Sequence, residues 1–292
     1  MTGVTQLTER HLFFPSQGQR VLGVLHEPQE ARRDAALVFL HGWAGYRIGP
    51  HQMFTKMARR ASDRGFPCLR FDFRGRGDSE GDAEATTLST MIQDAQAAVA
   101  MVCEEVGVER AALIGDCSGS EVAIGVGPLD ERIDSLVLWS APIVAGDRAA
   151  ADRAKRRSIY ATYFAKLFRR ETWSKLFAGR LQPRMILRAL SSGGKGAGEE
   201  GAESDREIDW YDRFMRFEGE ALFIYGGNDP TAPSALEHYE ELSRQAGRAF
   251  DSHVVEGANH AFYSLGWEDE VIEVSLGWLA ERYPTAGGDV HG

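Results

Sequence analysis

The first half of the chain alternates short, wholly apolar runs with longer stretches whose apolar residues recur every three or four positions. Ala35-Ala-Leu-Val-Phe-Leu40 has no polar member, as expected of a strand covered on both faces. Phe66 to Phe71, residues 110–115 and Ile133 to Trp139 read as further strands. Between them, 51–64 sets Phe54, Met57, Ala58 and Ala61 at helical spacing, and 88–106 carries the stripe Leu88, Met91, Ile92, Ala95, Val99, Val102 and Val106. Another helix is expected from Ser118. Ahead of these, 7–14 and 19–26 predict a hairpin joined by a Pro-Ser-Gln-Gly turn. Strand and helix in alternation predict an α/β fold with a mostly parallel central sheet flanked by helices.

The rhythm breaks at Pro142. Residues 143–190 hold aromatic helical patches but no strand-like run, and 191–207 is a Gly, Ser and acid stretch that reads as a mobile loop. The alternation resumes with a strand at Ala221 to Tyr225, a helix near 233–246, a strand at 250–255 and a helix at 269–282. The sequence therefore predicts one core domain built from 1–141 and 208–283, a helical lid insertion at 142–207, and a disordered tail at 284–292.

Composition narrows the function classes. The chain has 292 residues and a net charge of −10, so general nucleic-acid binding is not expected, since it would repel phosphates. MTGVTQLTER lacks the apolar core of a secretory signal, and no apolar run nears the roughly 18 residues of a membrane span. Three widely spaced cysteines, Cys68, Cys103 and Cys117, give neither a disulfide framework nor a CxxC metal site. A reducing cytoplasmic setting is expected, with no metal and no organic cofactor, since no Gly-rich phosphate cradle is present. Oligomeric state is not legible.

The chemistry concentrates in Gly115-Asp116-Cys117-Ser118-Gly119, between a strand and a helix. This is the setting in which G-x-S-x-G forms a nucleophile elbow, here with Cys at its centre. The sharp turn strains the central residue, so its neighbours two positions away must be glycine. A thiol there meets the positive end of the helix dipole, and the Ser118 N–H points where an oxyanion would form. Ser118 itself is the weaker nucleophile candidate, because Asp116 and Ser120 stand two positions from it.

A thiol needs a base and the base an orienting acid, in the order nucleophile, acid, histidine. His238 falls in a predicted helix, His253 in a strand and His291 in the tail, which leaves His260 in Glu256-Gly-Ala-Asn-His-Ala-Phe262. Asp229, in Tyr225-Gly-Gly-Asn-Asp-Pro230, lies on the loop after a strand; those are also turn residues, and a turn is what would deliver the carboxylate. Asp116 is too close along the elbow to face the imidazole, and Asp251 begins a strand at the opposite edge. His41-Gly-Trp-Ala-Gly45 follows a buried strand, so the Trp43 N–H is the expected second oxyanion donor. Phe71-Asp-Phe-Arg-Gly-Arg-Gly-Asp-Ser-Glu-Gly81 reads as a structural turn bracing the site.

Together these motifs resemble the α/β-hydrolase superfamily over about residues 35 to 283. LHGWAGYRIGPHQMFTKMARR, the Cys-centred elbow and YATYFAKLFRRETWSKLFAGR are similar to the exosortase-A-system-associated hydrolases. That resemblance implies a hydrolase encoded near bacterial exopolysaccharide and protein-sorting loci and implies no particular substrate. Dienelactone hydrolases share a Cys nucleophile but lack so long an insertion.

Residues 147–190 carry twelve basic and three acidic side chains, a net +9. A helical cap would set Tyr160, Tyr163, Phe164 and Trp173 over the pocket as substrate-binding residues. Its basic side fits two readings equally: attraction of an anionic substrate, a carrier or an acidic partner, or plain solvated surface. The expected function is hydrolysis of an ester or thioester, small or carrier-bound, through an acyl-cysteine. Acyl transfer from the same intermediate, and a pocket that binds without turnover, are the alternatives.

Overall fold

The computed structural model describes residues 8–29, 32–144 and 208–285. An eight-stranded sheet forms its centre, in the order β1-β2-β4-β3-β5-β6-β7-β8. The strands are β1 Thr8–Ser16, β2 Gln19–Glu27, β3 Ala35–Leu40, β4 Cys68–Phe71, β5 Arg110–Asp116, β6 Ile133–Trp139, β7 Glu220–Gly226 and β8 Asp251–Val255. β1 and β2 pair antiparallel, β2 meets β4 antiparallel, and the rest are parallel. This is the mostly parallel α/β sheet expected from the alternation, in the arrangement that the α/β-hydrolase resemblance implies.

β3 shows why its run is apolar throughout. Ala36, Val38 and Leu40 enter the core on one face, Ala35, Leu37 and Phe39 that on the other, because successive strand residues point to opposite faces. The first core is closed by α2 (Leu88–Val106), α3 (Ser118–Val126), α4 (Trp210–Arg216) and α5 (Ala232–Ala246); the second by α1 (Met53–Asp63) and α6 (Leu265–Arg282). α2 keeps its expected bounds because both ends are marked: Thr87 and Thr90 form a reciprocal cap, and Gly107 closes the helix at φ 65°.

Some bounds shift. Pro15 and Ser16 stay in β1, paired with Arg20 and Gln19. The hairpin therefore turns at Gln17-Gly18 alone, with φ of 48° and 79°, and Pro15 is tolerated because β1 is an edge strand. α6 begins at Leu265, four residues before the expected start. α4 was not expected; Asp209 caps it by accepting from the Asp212 N–H at 2.9 Å. Thr285, expected in the tail, still bridges Arg33. The expected lid, with Tyr160, Tyr163, Phe164 and Trp173, lies outside the described residues apart from its ends. Among the described residues no helix is long and apolar enough to cross a membrane.

Candidate active site

The parallel strands β3 to β8 share one carboxyl edge, and the nominated residues leave it on separate loops. Cys117 sits between β5 and α3 at φ 53°, ψ −119°, a positive-φ conformation that costs a non-glycine residue about 1–3 kcal/mol. A Cβ on Gly115 would stand 2.6 Å from the Gly119 carbonyl oxygen, and one on Gly119 would stand 1.9 Å from that of Leu40. The elbow therefore requires both glycines, the second because β3 ends directly against α3.

Asp229 and His260 are carried by the loops after β7 and β8. The loops are knitted together: the Asn228 N–H donates to the Ala258 carbonyl at 2.8 Å, and a Cβ on Gly226 would lie 2.5 Å from that same oxygen. His260 Nδ1 lies 2.6 Å from Asp229 Oδ2. The Asp229 side chain is 2% exposed, and its Oδ1 accepts from the N–H and hydroxyl of Thr231 at 2.9 and 2.8 Å. Burial pushes this carboxyl up, but hydrogen bonds from His260 and Thr231 outweigh it and hold it below the ordinary carboxylate range. The hydrogen bonds to Asp229 and then to Cys117 raise the His260 pKa to about 10. His260 and Asp229 thus meet across 31 residues of chain, with Cys117 near enough to the imidazole to act on its charge.

The other histidines and cysteines are placed elsewhere. His238 bonds the Val144 carbonyl, and His253 lies 2.7 Å from Glu270. Cys68 and Cys103 are buried, and burial raises both thiols, that of Cys103 to about 11. Cys117 is half-buried.

Two further placements bear on the sequence reading. The Trp43 N–H, expected to face an oxyanion, donates instead to Ser118 Oγ at 2.6 Å. Gly42 brings this about: a Cβ there would lie 3.2 Å from the Asp116 carbonyl, so the loop after β3 rests on the elbow and meets the first side chain of α3. Asp116, set aside as too close along the chain to face the imidazole, is still within electrostatic reach of His260; burial pushes its carboxyl to about 6 against that pull.

Sequence reasoning also missed the supports. Ser140, at φ 47° after β6, donates its hydroxyl to the His260 carbonyl at 2.8 Å. Asn259 Oδ1 accepts from the N–H groups of Ala261 and Tyr263, both at 3.2 Å. Asn259 had a signal, since Asn bonds its own following backbone in turns; Ser140 had none. Among the described residues no group of three or more His, Cys, Asp or Glu is placed to hold a metal ion.

With this geometry in view, three comparisons bear on the chain. The alpha/beta hydrolase fold family matches residues 35–266. No curated protein sequence matches. Among solved structures, Est1E from Butyrivibrio proteoclasticus with bound ferulic acid is 14% identical, covering 92% of this chain and 98% of that one at a TM-score of 0.66. The esterase PF2001 from Pyrococcus furiosus is 18% identical, covering 95% and 91% at 0.67. A dienelactone hydrolase from Anabaena variabilis is 13% identical, covering 95% and 99% at 0.61. At such identities the likeness is one of fold.

Proposed function

This chain belongs to the alpha/beta hydrolase fold family, and on that premise we propose that it hydrolyses a carboxylic ester or thioester through an acyl-cysteine intermediate. The carrying observation is that the residue at the strained elbow is a thiol in contact with His260, whose other nitrogen lies 2.6 Å from Asp229. The similarity of the Cys-centred elbow to the exosortase-A-system-associated hydrolases supports a sulfur nucleophile, and the esterase and the dienelactone hydrolase among the structural neighbours support an acyl substrate.

In this reading His260, raised to about 10, already holds the proton at Nε2 when Cys117 Sγ attacks the acyl carbon. The tetrahedral oxyanion collapses, the bond to the leaving oxygen or sulfur breaks, and His260 gives the proton to it. Water then attacks the thioester, giving its proton to His260; the C–S bond breaks and the acid departs, leaving Sγ beside the protonated imidazole as at the start. Asp229 holds the ring with Nδ1 turned away from the sulfur and stabilises the imidazolium. A histidine raised to about 10 is suited to holding the proton while charge develops on the substrate.

The test is intact-protein mass spectrometry after exposure to a panel of acyl esters and thioesters. The expected result is an acyl adduct mapping to Cys117, formed during turnover and absent in Cys117→Ala. Turnover that survives in Cys117→Ala would overturn the reading.

A further inference from the structure

The loop after β3 and the first turn of α3 meet through a single short bond: the Trp43 N–H donates to the Ser118 hydroxyl oxygen at 2.6 Å. Ser118 is the residue directly after Cys117 and the first of α3. Its own N–H has no acceptor within the helix, as for any residue of a first helical turn. Its hydroxyl proton has no acceptor among the described residues. The loop bearing Trp43 lies close to the nucleophile, since a Cβ on Gly42 would stand 3.6 Å from Cys117 Cβ.

We propose that the Ser118 hydroxyl is a side-chain donor of the oxyanion hole, with Trp43 acting through it rather than directly on the substrate. This rests on the acyl-cysteine reading above. A hydroxyl has one proton and two lone pairs. When one lone pair is taken by an N–H, the proton must turn away from that donor. The Ser118 hydroxyl reaches the loop whose Gly42 lies against Cys117, so its O–H joins its N–H as a donor to the oxygen that becomes negative as sulfur attacks. An O–H whose oxygen already accepts a hydrogen bond is polarised and donates more strongly. The bond to Trp43 also fixes the hydroxyl before substrate arrives, so no donor has to be reorganised as charge develops.

The competing account is a plug, in which the hydroxyl occupies the place of the oxyanion and must swing away to free the Trp43 N–H. The two accounts differ in the sign of one substitution. With Ser118 as donor, Ser118→Ala lowers kcat by about 100-fold with little change in KM, the low end of the range for losing one oxyanion donor, and Ser118→Thr restores most of the rate. With a plug, Ser118→Ala matches or exceeds the wild type.

Two reagents separate this effect from a disturbed elbow. Iodoacetamide displaces iodide at Cys117 Sγ without forming an oxyanion, so its rate should be the same in wild type and Ser118→Ala. An acyl aldehyde adds to Sγ to form a hemithioacetal whose oxygen occupies the hole, so it should bind Ser118→Ala at least 10-fold more weakly. Equal loss with both reagents means a damaged elbow and overturns the proposal, as does equal aldehyde binding. A wild-type protein that forms no acyl adduct with any ester or thioester overturns the acyl-cysteine reading itself. An adduct that forms equally fast in wild type and Ser118→Ala overturns only the role of the hydroxyl.

Discussion

Two turns leave the same edge of the sheet and are built in opposite ways. At the elbow after β5, Cys117 is strained at φ 53°, half-exposed, and makes no side-chain cap to α3. After β4, Asp72 is fully buried and saturated. Its carboxylate accepts from the Arg47 N–H at 2.7 Å, from the Arg47 guanidinium, and from the Asp78 N–H at 3.0 Å. Its own N–H reaches the Leu22 carbonyl at 3.0 Å, and its carbonyl takes the Ser79 hydroxyl at 2.7 Å. A Cβ on Gly77 would come within 2.1 Å of Asp72 Oδ2. The contrast teaches a division of labour: strain and unspent donors stand at the elbow, while the neighbouring turn spends every polar atom of Asp72 on holding the frame.

The comparison breaks first in activity. Cys117→Ala and His260→Ala should each lower kcat/KM by about 10⁴-fold or more, and the double variant little further, since the members of one catalytic unit are not additive. The melting temperature of Cys117→Ala should stay near that of the wild type, and that of His260→Ala should fall modestly, since it leaves the buried Asp229 without its imidazole partner. Multiplicative losses in kcat/KM would show that the two residues do not share a mechanism.

Asp72→Ala should reverse the pattern. It leaves two N–H groups beside an emptied site and leaves the Arg47 guanidinium only its exposed partner Asp78 at 2.8 Å; breaking a buried pair costs at most about 3–5 kcal/mol. Urea denaturation should show that loss, while the fraction still folded keeps its reactivity toward iodoacetamide. Full stability in Asp72→Ala would mean that the turn does not carry the frame.

The smallest effect is in pH dependence, where the histidines divide along the same line. His260 is raised to about 10 from an ordinary 6.5, by Asp229 first and then Cys117. Its contribution to stability is therefore fully present below about pH 6.5 and is lost as pH rises through 10. Its side chain is 47% exposed, so solvent keeps the effect modest. His26 and His41 are buried in the frame and pushed down to about 4, chiefly by burial. They resist protonation when folded, so stability falls as pH drops from about 6.5 through 4. The stability gap between wild type and His260→Gln, followed by urea denaturation, should shrink from pH 6 to pH 10. A gap that stays constant would show that His260 gains nothing from its partners.

Much of this frame was legible in advance. β3, β6 and α2 fall at their expected bounds, since an unbroken apolar run or a capped helical stripe leaves little freedom. The triad candidates were legible because glycines two positions from Cys117, and loops following strands, are local features. α4 was missed although Asp209 signals its start, because its seven residues are too few to show a period. Pro15 misled the hairpin reading, since its tolerance depends on β1 being an edge strand.

The sequence by itself determined the alternation of elements, the glycines that permit the elbow, and the order of thiol, carboxylate and imidazole along the chain. Each follows from residues within a few positions of one another. Only the tertiary structure decided that Asp229 reaches His260 at 2.6 Å, that Ser140 holds the His260 carbonyl, and that the Trp43 N–H goes to the Ser118 hydroxyl. Those bonds join residues 31, 120 and 75 positions apart. Their partners are chosen by strand register and by how closely glycine lets two loops approach, and neither is written in any one stretch of chain.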